Sequence, residues 1–108
     1  MPVKGLAPFL VLADAVAEGR LSAGEFMRLC LPLFKYTPGS FESVERFEVA
    51  QDLFIVANDF WESPGETPSD LLTAEQVREK AAAIAVRMRS VMAADEERIR
   101  LLEAADGD

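Results

Sequence analysis

The sequence predicts an all-α fold: an antiparallel four-helix bundle in a single domain, with a long C-terminal helix. Three observations point there. Apolar residues recur at three- and four-residue spacing in four separate stretches. Two of those stretches open on a Ser/Thr-x-x-Glu/Gln capping box. Strict apolar–polar alternation, the mark of a half-buried strand, is missing throughout. With 108 residues the chain has room for one modest core, and short links favour helices packed against their chain neighbours. The natural division is a bundle at residues 1–92 and a helical extension or frayed tail at 93–108.

After a short lead-in at Met1 to Gly5, a first helix is expected over residues 6–18. Leu6, Phe9, Leu10, Ala13, Val16 and Ala17 keep helical spacing, Pro8 suits a first turn, and Gly19 suits the C′ position. Lys4 followed by an apolar run ending in Ala15-Val16-Ala17 is faintly like a secretory signal, but Asp14 and Pro8 interrupt it. The second helix, 23–35, starts from the box Ser22/Glu25 and turns Phe26, Leu29, Cys30, Leu33 and Phe34 inward, with Pro32 giving a kink or an early end. Thr37-Pro38-Gly39-Ser40 reads as a turn, and Ser40 or Ser43 as the cap of a third helix over 42–61. Residues 62–72 form a loop holding Pro64 and Pro68. The box Thr73/Gln76 then opens a fourth helix with the stripe Val77, Ala81, Ile84, Met88 and Val91, flanked by Ala85 and Met92. If it continues to residue 104 it is about 46 Å long, and its last turns should project, fray or meet another chain. Leu53, Phe54 and Phe60 join Phe26, Leu29, Val77, Ile84 and Met88 in the expected core.

The third helix carries the functional signal. At 100° per residue, Phe47, Ala50, Phe54, Ala57 and Trp61 share a band of about 80° with Leu53 and Phe60 beside it. Glu45, Glu48, Asp52 and Asp59 share another of about 60°, extended by Glu42 and Glu62. Like charges at this spacing cost a few tenths of a kcal/mol each in an isolated helix, so local stability alone does not select them. Residues 37–75 hold nine acids and one base, Arg46, and therefore the whole net charge of −8; the remainder balances at ten and ten. This excess continues into the loop through Glu66 and Asp70. Such a surface repels phosphates, which argues against direct nucleic-acid binding, and accelerates the approach of a basic protein. The candidate partner-binding residues are therefore Glu45, Glu48, Asp52, Asp59, Glu62, Glu66 and Asp70. The bland alternative, a solvated face that keeps a small protein soluble, is the other reading of the strip.

Catalytic and metal chemistry find little support. The chain has no histidine, and carboxylate pairs such as Glu48 and Asp52 lack the inward Glu-x-x-His of a di-metal bundle. No catalytic residue, metal ligand or cofactor is assigned. Cys30, the single cysteine, excludes an internal disulfide, suits a reducing cytosol, and sits where a buried structural thiol is expected. No stretch is long and apolar enough to span a membrane.

Between about Leu10 and Met88 the chain resembles the colicin D immunity family, small helical proteins that guard bacteria against a tRNA-cleaving toxin. The likeness lies in Ala17-Glu-Gly-Arg-Leu-Ser-Ala-Gly-Glu-Phe26, in Asp52-Leu-Phe54 followed by Asn58-Asp-Phe60, in the variable acidic loop, and in Leu72-Thr-Ala-Glu-Gln-Val77. Cys30-Leu-Pro-Leu-Phe34 is more apolar than that family's pattern, and the segment beyond Met92 has no counterpart in it. The resemblance implies a cytoplasmic, non-enzymatic immunity protein whose carboxylates, chiefly Asp52 and with it Asp59 and Glu62, cover the basic active-site cleft of a cognate ribonuclease toxin domain in place of tRNA. A monomer is expected when free, because Ile99 and Leu102 are sparse and Asp95-Glu96-Glu97 would repel a symmetry mate. The competing expectation is a helical adaptor or dimerisation module acting through the long last helix.

Overall fold

In a computed structural model the described residues are 6–36, 44–63 and 65–106, without the side chains of residues 35, 36, 95, 98, 99, 105 and 106. Among them the chain forms four helices and no strand: α1 (Ala7–Ala17), α2 (Ala23–Tyr36), α3 (Val44–Asn58) and α4 (Ala74–Asp106). The lead-in, the turn at Thr37-Pro38-Gly39-Ser40, the Ser40 and Ser43 caps and Glu42 lie outside the described residues. α1 and α4 make the most extensive contact, α4 also packs on α3, and α2 packs chiefly on α3, so the fold is an all-α helical bundle.

Local chemistry sets the helix ends. Pro8 lies in the first turn of α1. At its other end Gly19 takes φ +80°, the N–H of Gly19 donates to the Val16 carbonyl, and that of Arg20 to the Ala15 carbonyl. This pair of bonds is a Schellman cap, whose left-handed residue favours glycine. Both capping boxes form reciprocally. The Ser22 N–H reaches Glu25 Oε1 and the Glu25 N–H reaches Ser22 Oγ, each at 3.1 Å. Thr73 and Gln76 repeat this at 2.9 and 3.1 Å. The Ser22 bonds, backbone first, hold the Glu25 carboxyl below the usual range. α2 runs through Pro32 to Tyr36, so the proline does not end it.

The core joins Leu6, Phe9, Ala13 and Val16 to Ala23, Phe26 and Cys30, to Val49, Ala50, Leu53, Val56 and Ala57 of α3, and to Val77, Ala81, Ile84, Ala85 and Met88 of α4. Two expectations are corrected. Leu29 is exposed, because Phe26 and Cys30 point α2 inward along a line that leaves Leu29 on its flank. α3 is turned by about 80° from the expected orientation: Val49 and Val56 face in, Phe47 is exposed, and Phe54, Phe60 and Trp61 are half-buried. The larger rings go to the seam with α2, where Phe54 stacks on Phe34 at 4.7 Å between centroids and Phe47 lies tilted at 6.1 Å.

α3 also ends earlier than its sequence suggests. After Asn58 the backbone extends, the Trp61 N–H donates to the Leu72 carbonyl and the Leu72 N–H to the Asp59 carbonyl, both at 2.9 Å. These bonds make an isolated parallel bridge between Phe60 and Leu72 and tie the two ends of the acidic loop together. The Trp61 and Leu72 N–H groups are thus satisfied across the bridge, where another helical turn would have directed the first of them back along α3.

The molecule measures 64 × 24 × 24 Å. α4, with 33 residues, accounts for about 50 Å of that length. Val91 and Met92 are the last of its side chains packed against the core; beyond them the described side chains, Leu101 and Leu102 included, are exposed. Truncation after Ala94 should therefore leave the helical circular-dichroism signature and shift Tm by no more than a few degrees. Loss of a cooperative melt would show that the projecting turns support the fold.

Candidate partner-binding surface

The rotation of α3 relocates its acids. The carboxylates do not oppose the buried face; they run along the flank toward α4, where Asp52 Oδ2 meets Arg87 Nη1 at 2.7 Å. Glu45 and Glu48 are exposed and make no ion pair among the described residues. Asp59 is half-buried at the end of the helix, with its backbone carbonyl in the bridge to Leu72. Glu62 has turned to the other side and meets Arg28 of α2 at 2.7 Å. Gly24 makes room for that pair: a Cβ there would lie 3.1 Å from Glu62 Oε1 and 3.2 Å from an Arg28 nitrogen. Glu66 and Asp70 are exposed on the loop beyond.

The seven candidate carboxylates thus fall into three sets. Asp52 and Glu62 are engaged by arginines on opposite sides of α3. Glu45, Glu48, Glu66 and Asp70 are open to solvent, and Asp59 lies between. The sequence gives no direct sign of the arginine partners, which come from other helices. Their one trace is that Arg28 and Arg87 sit off the buried stripes of α2 and α4. Exposed pairs of this kind contribute about 0.2–1 kcal/mol, so either arginine could release its carboxylate to a stronger base at little cost. Arg89 and Asp14 form another ion pair, from α4 to α1. Asp14 is therefore engaged, and its reversal would disturb the fold.

No family model, curated protein or solved structure matches this chain. The likeness to colicin D immunity proteins accordingly rests on the residues quoted above.

The one thiol belongs to the core. Cys30 is fully buried, and desolvation pushes its thiol up to about 12. A thiol-specific disulfide reagent at about pH 8 should leave the native protein unlabelled and label the urea-unfolded chain, since the thiolate is the nucleophile. Fast labelling of the native protein would contradict this burial. The Trp61 ring keeps its Nε1–H buried without an acceptor among the described residues. No group of three or more His, Cys, Asp or Glu suited to a metal ion occurs among those residues. No helix among them is long and apolar enough to cross a membrane.

Proposed function

We propose that this chain is a cytoplasmic, non-enzymatic immunity protein, monomeric when free, that binds a cognate ribonuclease toxin and covers its basic active-site cleft with the acidic flank of α3 and the loop after it. The observation that carries the proposal is the unpaired excess of exposed carboxylate: Glu45 and Glu48 on the helix, Glu66 and Asp70 on the loop. A surface of this sign attracts a basic protein and speeds the encounter. The resemblance supplies the class of partner, a tRNA-cleaving domain. Asp52, Asp59 and Glu62, which carry that resemblance, contribute after Arg87 and Arg28 yield the first and last of them.

The test is stoichiometric inhibition. The gene beside this one should encode a basic tRNA-cleaving domain, and the purified protein, mixed with that domain at rising molar ratio, should stop tRNA cleavage at one to one; a neighbourhood without such a domain counts against the proposal. If cleavage continues at tenfold excess and no complex elutes, the proposal fails.

A second reading, a helical adaptor, is favoured by one observation, the exposed Leu101 and Leu102 on the projecting part of α4. Truncation after Ala94 separates the two: inhibition survives it, whereas an adaptor loses its partner.

A further inference from the structure

The turn of α3 brings an apolar ridge to the outside as well as a buried face to the inside. Val44, Phe47 and Ile55 are 71%, 43% and 46% exposed. With Gln51 they lie within about 80° of one another on the helix, at positions i, i+3, i+7 and i+11. The ridge is about 16 Å long. Single exposed apolar residues are ordinary on a protein surface. Three on one ridge of one helix follow the spacing by which a helix seats itself in a groove. Phe47 is already held against Phe34 at 6.1 Å, so little side-chain freedom remains to be lost on binding. Glu45 and Glu48 run along the α4-side edge of this ridge without an ion pair among the described residues.

We infer that this ridge is the apolar centre of the partner interface: Val44, Phe47 and Ile55 enter an apolar groove on a basic protein, whose lysines or arginines line one bank and meet Glu45 and Glu48. The inference rests on the inhibitor reading above and deepens it. Carboxylates alone would give fast association and modest residence. An apolar centre excludes water from the contact and supplies the slow dissociation that an inhibitor needs. A second copy of this chain is the wrong occupant, because it would bring an equal excess of carboxylates to the same seam.

The experiment compares Val44→Gln/Ile55→Gln, which removes apolar surface at constant charge, with Glu45→Gln/Glu48→Gln, which removes charge at constant shape. Each is titrated against the basic ribonuclease domain that the inhibitor reading requires, at low and high salt, with a thermal melt and light scattering for every protein. Ile55→Gln alone stands in if the double variant melts early. The first variant should raise Kd by about tenfold or more, mainly through faster dissociation, and keep the wild-type salt dependence. The second should flatten that dependence. Wild-type affinity in the first variant, beside weakened binding in the second, overturns the ridge and leaves the inhibitor standing. Wild-type protein that binds nothing overturns both. A wild-type dimer that Val44→Gln/Ile55→Gln converts to a monomer gives the ridge to a second copy and overturns the inference.

Discussion

Leu53→Ala should destabilise the protein by about 2–5 kcal/mol, whereas Phe47→Ala should cost no more than about 1.5 kcal/mol. Leu53 is fully buried between the helices, and its removal leaves a cavity that the close-packed neighbours fill only in part. Phe47 is 43% exposed, and its tilted ring pair with Phe34 is an arrangement worth about 0.5–1.5 kcal/mol. Phe54→Ala should fall between them, since that ring is half-buried and stacked on Phe34. Urea denaturation of the three variants measures the orientation of α3 directly. A larger loss for Phe47→Ala than for Leu53→Ala would mean that α3 turns its aromatic stripe inward.

The second large effect is on binding. Glu45→Lys/Glu48→Lys removes two negative charges and adds two positive ones on the open flank of α3, and should slow association with a basic ribonuclease domain by about tenfold to a thousandfold at low salt. The fold should tolerate the change, because both positions are exposed, a lysine at 48 lies four residues from Asp52, and two lysines at i,i+3 repel each other no more than the two glutamates they replace. Asp52→Lys is a different experiment. It breaks the pair with Arg87 and sets two cations side by side, so any loss of binding mixes with loss of stability. Glu103→Lys, on the exposed projecting part of α4, is the control and should bind as wild type. A thermal melt accompanies each protein, and inhibition of tRNA cleavage is the readout. Full inhibition by the folded Glu45→Lys/Glu48→Lys protein would remove the α3 flank from the interface.

Much of the fold was legible in the residues, and the reasons are local. Gly19, Ser22 with Glu25 and Thr73 with Gln76 each fix a helix end through bonds made within a few residues, so their pattern needs no knowledge of the rest of the chain. The stripe of α4 was legible because that helix has one apolar side up to Met92. α3 was not, because it has apolar residues nearly all round. Phe47, Phe54 and Trp61 share the helical spacing of Ala50 and Ala57, so spacing favours the aromatic side, while the packed bundle buries Val49, Leu53 and Val56 with those two alanines. The early end of α3 depends on Leu72, thirteen or so residues away, and so has no local sign. The same limit applied to the candidate site. Its carboxylates were visible as residues, but the arginines that engage Asp52 and Glu62 arrive from α4 and α2, and only the packed bundle brings them there.

If the acidic flank of α3 steers this protein onto a basic partner, the association rate constant of the wild-type protein with the ribonuclease domain must depend on ionic strength. Stopped-flow mixing from about 0.02 to 0.5 M salt spans Debye lengths from about 20 Å to a few ångströms. The rate should fall by at least about tenfold over this range, with the slope reduced in Glu45→Lys/Glu48→Lys and unchanged in Glu103→Lys. A rate independent of salt, or a slope untouched by reversing Glu45 and Glu48, would contradict it.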